Sequence, residues 1–464
     1  MELESPKISR AVVLRVVTLS VIALLLVPAG IAAITNEPQS LAAGSIADPA
    51  NGTTVISVQG FKLSGQASKK KPARLVGVGP AGDVRWVHNG GALELSWFYD
   101  VDPINESNLL ITGVNPGETV VYEWNPETNE VVWSERFDLE DTHDVDVING
   151  DQLLIANMRN YNETTGKNND RIFIYNRTTD RIVWEWKFRN RYPASGGGTY
   201  SNDWTHVNDV DKIAPGEYLV SNRNFDQVIV VNRSTEELDL QLGSDGDLET
   251  LYEQHNPQYL RGQNGAPTVL VADSENDRVV EYVRDDGTWT RTWTLGSSES
   301  LNWPRDADRL PNGNTLVTDT LNHRVVEVTP EGEIVWEFYA PWGTYDAERI
   351  QLGDELGGPT IREQNASGTY PLNGSAGLTP GAGRGQTVSQ WIASLGDGTP
   401  LEEEVASAAE RYAHVTPWIR PVWMDSWAFA SALLAGLLLG GWGVGELVYH
   451  RQWLRESVGR IVQG

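Results

Sequence analysis

The sequence predicts an all-β fold: a β-propeller of about six four-stranded blades, flanked by one N-terminal and one C-terminal transmembrane helix. Three observations carry this. A unit of about 50 residues recurs between residues 73 and 361. Each unit breaks into four short runs rich in Val and Thr, separated by Pro, Asn and Gly, as antiparallel strands with tight turns require. Two long apolar runs stand outside the repeat, one near each end of the chain.

The clearest unit begins at Arg305 and reads RDADRLPNGNTLVTDTLNHRVVEVTPEGEIVWEF. Its strands are expected at 306–310, 314–319, 324–328 and 334–338, with turns at 311–313, 321–322 and 330–332. The frame recurs upstream with openings at His255, His206, His143 and Asp100, stepping by 50, 49, 63 and 43 residues. A partial unit, RLVGVGPAGDVRWVH, precedes these, and 345–361 reads as the start of one more. Accidental similarity within a β-sandwich would not produce five copies. Five to seven blades fit, and six is the expected count. Trp86, Trp133, Trp184, Trp186, Trp293 and Trp336 fall near unit ends, where packing between blades explains them better than a cofactor does.

The apolar runs fix the remaining boundaries. Residues 11–35 and 427–449 are long enough to cross a bilayer. A signal peptide is the competing reading of the first run, because AGIAA looks cleavable. Lys7 and Arg10 precede the first run; Arg451, Arg455 and Arg460 follow the second. The positive-inside rule therefore places 1–10 and 450–464 in the cytoplasm and the main domain outside the cell. Between the helices lie a linker with the first strands (36–72), the propeller (73–361) and a Gly/Ser-rich linker or stalk (362–426) with a short helix at 401–413. Seven N-x-S/T sequons, at Asn51, Asn105, Asn162, Asn176, Asn232, Asn365 and Asn373, all fall in the outside segment and mark it as a candidate glycoprotein.

Charge and composition exclude several function classes. The 464 residues carry 63 acidic and 36 basic side chains, a net charge of −27. Each terminal piece carries +1 by formal charge, so residues 36–426 carry −29. A generally basic nucleic-acid binder is ruled out, and no nucleic-acid partner is expected. With no Cys there is no disulfide, thiolate nucleophile or thiolate-ligated metal. Only 8 of the basic residues are Lys, and such an acidic, Lys-poor surface resembles that of salt-adapted proteins of halophilic archaea.

The seven His are placed unevenly. His143, His206 and His255 open three consecutive units at the equivalent position, so in a propeller they converge on the central channel. Three facing imidazoles fit a metal. Arg223, Asn208 and Arg305 nearby in the frame fit an anion instead, because a guanidinium matches tetrahedral oxyanions two oxygens at a time. No metal site and no cofactor are expected. His323, in the turn NHR, is expected to be exposed; His88, His414 and His450 lie outside the frame.

These residues carry a resemblance. THDVDVINGDQLLIAN, DWTHVNDVDKIAPGEYLVSNRNFDQV and EQHNPQYL…VLVADSEN resemble three successive motifs of the arylsulfate sulfotransferase family that uses no nucleotide sulfate donor. The resemblance covers roughly 75–360. It implies an aryl sulfate donor, a phenolic acceptor and ping-pong transfer through a sulfated histidine. By motif, His255 in QHNPQ resembles the sulfated nucleophile, while His143, His206 and Arg223 resemble the groups that hold the sulfuryl oxygens. Asn208 and Arg305 are expected to bind substrate. The chain departs from periplasmic members in having no Cys and no separate N-terminal β-domain; its two anchors look more like the archaeal branch. Two other readings stay open. One is a non-catalytic extracellular recognition propeller. The other is a metal- or quinone-dependent enzyme, disfavoured because only Asp144 and Asp306 are expected beside the channel histidines.

Overall fold

A computed structural model of the chain describes residues 9–35, 39–60, 71–90, 93, 95–105, 107–262, 264–354, 357–377 and 386–451. The chain divides into two compact units, Ser40–Gly385 and the two ends, Met1–Gln39 with Gln386–Gly464. Of the flanking cations expected beside the apolar runs, Lys7, Arg455 and Arg460 lie outside the described residues, as do 36–38, 61–70 and 378–385 of the two linkers.

The first unit is a six-bladed propeller. Blade 2 runs from Trp97–Pro103 to Glu130–Phe137, blade 3 from Val145–Ile148 to Arg181–Lys187, and blade 4 from Val207–Ala214 to Leu238–Gly243. Blade 5 runs from His255–Arg261 to Thr288–Leu295, and blade 6 from Pro304–Arg309 to Ile334–Tyr339. Blade 1 joins the two ends of the repeat. Its inner strand is Thr344–Arg349, and Thr54–Val58, Arg74–Val78 and Val84–His88 complete it. The two partial units of the sequence are therefore one blade, which closes the ring. The long step from His143 to His206 holds a small hairpin, Tyr161–Asn162 with Lys167–Asn168, and the loop that follows Phe188–Asn190.

Ring closure leaves the outer strands as edges. Two are covered: Ala42–Ile46 pairs antiparallel with Ile334–Tyr339, and Gly368–Tyr370 pairs parallel with Thr288–Leu295. Such pairing removes a template for unwanted strand addition. The second contact also shows that 362–377 is not a free linker. Ala366 is buried, and Ser375 Oγ donates to Glu337.

Six apolar clusters fill the six junctions between neighbouring blades. Strand residues alternate, and both faces of these central strands meet another blade, so the runs of Val, Ile and Leu have nowhere polar to point. Trp186, Trp293 and Trp336 lie in three of the clusters and are almost fully buried. Each removes enough apolar surface to contribute about 2–3 kcal/mol. His323 corrects an expectation. It is only 1 % exposed, in the left-handed conformation that ends a one-turn 3₁₀ helix, and it accepts a bond from the Gly343 N–H.

The second unit consists of α1 (Arg10–Thr35), α2 (Val388–Ser394), α3 (Glu402–Ile419) and α4 (Ser426–Tyr449). Helices α1 and α4 are each long and apolar enough to cross a membrane. One charged pair links them: Arg15 donates to both Glu446 oxygens, at 2.6 and 2.7 Å. Helix α3 extends beyond the expected 401–413 and stops at Arg420, which is extended because Pro421 follows it.

Candidate active site

The inner strands run in the same sense along the axis, so the residues that start them gather at one end of the channel. His206 precedes its strand directly, His255 is the first residue of its strand, and Arg305 is the second of its own. His143 lies two residues before Val145. The His143 and His206 rings are 5.0 Å apart, edge to face. Tyr99 and Tyr345 belong to the same ring of positions. Tyr99 stacks on His143 at 3.9 Å, the Tyr345 hydroxyl is 2.9 Å from His143 Nδ1, and the His255 ring is 6.1 Å from Tyr345. The structure thus brings together His143, His206, His255 and Arg305, and Arg223 is close enough to act electrostatically on His206 and His255.

His255 and His206 are each held by an acceptor on Nδ1. His255 Nδ1 lies 3.1 Å from the Glu253 carbonyl and 2.8 Å from Ser274 Oγ, whose own proton goes to the Pro304 carbonyl. A carbonyl only accepts, so Nδ1 carries the proton and Nε2 keeps the lone pair. His206 Nδ1 is 2.8 Å from the Asp203 carboxylate, which fixes the same tautomer. The backbone here is strained. His206, Glu253, Asn256 and Trp303 all have φ between 36° and 54°, and side chains with a Cβ hold that region only under constraint.

The cations are held differently. Arg223 is partly buried beside Glu253, its side chain 13 % exposed, and forms an ion pair with it; its Nε has no hydrogen-bond partner among the described residues. Arg305 is 5 % exposed. Its guanidinium lies over the Trp303 and Tyr345 rings at 4.3 and 4.8 Å and donates to Gln59. Its Nε is also unbonded among the described residues. Asn208, expected to donate to substrate, turns its amide to the Gln254 carbonyl and so braces the strand that His255 starts.

Burial in this cationic setting keeps the imidazoles neutral. Burial, then Arg223, hold His206 down to about 3 against the pull of Asp203. Burial, then Arg305 and Arg223, hold His255 well below its ordinary value. Burial also lowers His143, opposed by Asp141. The fixed positive charge at this end of the channel is therefore on arginine, with burial drawing Arg223 itself down to about 10.

Farther along the same strands the channel changes sign. Asp100/Asp102, Asp144/Asp146 and Asp209/Asp211 project from blades 2, 3 and 4, and Asp306/Asp308 and Asp346/Glu348 do so from blades 6 and 1. The expectation of carboxylates at Asp144 and Asp306 alone is overturned: five of the six inner strands carry a pair. Many have a structural task. Asp144 accepts from the Val210 N–H, Asp306 from Ala347 and Asp346 from Val101, each bond crossing to the next blade. Sequence reasoning also missed Tyr99, Tyr345, Ser274 and Asp203. Tyr99 and Tyr345 each precede an aspartate as His143 precedes Asp144. Ser274 follows the second strand of its blade as Arg223 does in the blade before.

A protein of unknown function from Bacteroides caccae is 13 % identical to this chain with a TM-score of 0.41, covering 62 % of this chain and 93 % of its own. Virginiamycin B lyase from Staphylococcus aureus is 10 % identical with a TM-score of 0.33, covering 53 % of this chain and 70 % of its own. No curated protein matches the chain. Residues 113–340 match the family model Arylsulfotransferase (ASST). That match supports an arylsulfotransferase domain over the stretch that holds all three channel histidines, Arg223 and Arg305.

Proposed function

We propose that the chain is a membrane-anchored aryl sulfotransferase that moves a sulfuryl group from a phenolic sulfate ester to a phenol through His255. The observation that carries this is the state of His255: neutral, with Nδ1–H engaged and the Nε2 lone pair left over, near the buried Arg305 and the partly buried Arg223. A neutral imidazole is a nucleophile, and an arginine fork stabilises sulfuryl oxygens as charge shifts onto the departing group.

In the first half-reaction, Nε2 forms an N–S bond as the ester S–O bond breaks, and the phenolate leaves with the electron pair. In the second, the acceptor phenol gives its proton to His206 Nε2, and the resulting imidazolium is held by Asp203. The phenol oxygen attacks sulfur, and the N–S bond returns its electrons to His255. An anionic substrate in the pocket raises the proton affinity of His206 from its depressed value, which lets it act as the base. The two apolar helices anchor the protein with its termini inside and the propeller outside, and its surface charge suits concentrated salt.

The test is mass spectrometry at neutral pH after mixing the full chain with an aryl sulfate and no acceptor. A sulfuryl adduct on the peptide holding His255 is expected, and a phenol added afterwards should discharge it. An adduct on His206 or His143 instead would move the nucleophile. No adduct, with the ester intact, would sink the assignment.

A further inference from the structure

The carboxylate end of the channel holds oxygen atoms that the fold does not use. The bonds from Asp144, Asp306 and Asp346 to the next blade account for those residues as braces. Asp100 and Asp209 occupy the same frame position in blades 2 and 4. Each is 7 % exposed, and each has an Oδ2 without a hydrogen-bond partner among the described residues. They stand on either side of Asp144: Asp209 has a ligating oxygen within 4.8 Å of those of Asp144 and Asp211, and the Asp100 carboxyl faces that of Asp144. An ionised carboxylate buried without a partner is strongly disfavoured, so these oxygens need a proton or a cation.

We propose that this end of the channel binds one calcium ion through Asp144, Asp209 and Asp211, with Asp100 turned toward the same point. The donor set is oxygen only, which selects hard cations. The candidate oxygens of Asp144, Asp209 and Asp211 all lie within 4.8 Å of one another; calcium, with bonds of about 2.4 Å, accepts irregular carboxylate sets, whereas magnesium demands a near-ideal octahedron at about 2.1 Å. Among the described residues no cation is recorded against Asp100 Oδ2 or Asp209 Oδ2. Lys212, next to Asp211 in sequence, donates its ammonium to Asn149. An entry path exists: a pocket of about 370 Å³, lined by Asp146, Asp211 and Asp354 among others, opens at this end.

The test uses the full chain in detergent, treated with chelator, dialysed at constant salt and titrated with calcium chloride by calorimetry and by thermal melting. Uptake of one ion per chain is expected, with a rise in melting temperature. Asp209→Asn should weaken uptake by roughly tenfold or more. The same change relieves repulsion, so the metal-free variant should melt above metal-free wild type while calcium no longer raises it. No uptake at millimolar calcium, or equal uptake by Asp209→Asn and wild type, would overturn the site. If Asp209→Asn fails to fold, Asp100→Asn should give the same loss of uptake, and unchanged uptake there would also overturn it.

Discussion

The two ends of the propeller channel are built from the same strands and are chemical opposites. At the start of the strands stand imidazoles, tyrosines and arginine; farther along stand paired carboxylates. Burial acts on both ends and drives both toward neutrality, but by opposite proton movements. It strips protons from His206 and His255 and adds them to Asp144, which rises to about 8. A propeller multiplies such effects. One position in the frame, repeated around the axis, becomes a ring, so a shift of a few residues along a strand separates a nucleophilic site from an acidic one.

The most severe way to break the first end is to remove its nucleophile. His255→Ala should abolish transfer, a loss on the order of 10⁴ or more in turnover, because no covalent intermediate can form. Steady-state rates with an aryl sulfate and a phenol would check this, and retention of a tenth of the activity would contradict it. Arg223→Lys comes next. It keeps the charge and loses the fork, and a loss of about 10²–10³ in kcat is expected. A near-normal rate would reduce Arg223 to a partner of Glu253.

The proton inventory supplies a milder test. The depressed His255 and His206 leave Nε2 unprotonated well below the ordinary imidazole range. Activity should therefore hold as pH falls from 8 through about 6 and decline only in more acid solution. A pH–rate profile with an acid limb centred near 6.5 would show that at least one imidazole is charged at rest. Stability has a sign of its own. A histidine depressed on folding takes up its proton in the unfolded chain first, so this end loses stability as pH drops below about 6.5 toward the folded value.

Much of this architecture was legible in the chain. The strand Arg324–Val328 matches its expected bounds to the residue, because Val enrichment and the flanking turns are local signals. The ring of channel histidines follows from their equivalent position at the opening of three units, although the units differ in length. Ring closure was less legible: Thr344–Arg349 completes a blade whose other strands lie nearly 300 residues upstream, and no local pattern encodes that pairing. His323 was read as a surface turn residue because NHR is turn-like; its burial comes from the Gly343 segment folding over it. The acidic pairs were visible as a D-x-D frame, but their convergence depends on all inner strands sharing one register.

The smallest expected effect isolates the acidic end. Asp308 and Glu348 lie on neighbouring inner strands, both buried and both held well above the ordinary carboxyl range, first by burial and then by neighbouring carboxylates. A carboxyl raised on folding binds its proton in the folded state first, so its contribution is complete below the ordinary value near 4 and is lost as pH rises through the folded value. Between pH 7.5 and 8.5 the imidazoles are almost entirely neutral in both folded and unfolded chains, and the carboxylates dominate the slope. In metal-free buffer the melting temperature should fall across that window. Asp308→Asn keeps the shape, gives Glu348 a neutral amide in place of a competing acid, and removes one titrating group. Its melting temperature should fall less than that of wild type, by about 1–3 °C over the same interval. Parallel curves would mean that Asp308 is already neutralised by something other than a proton.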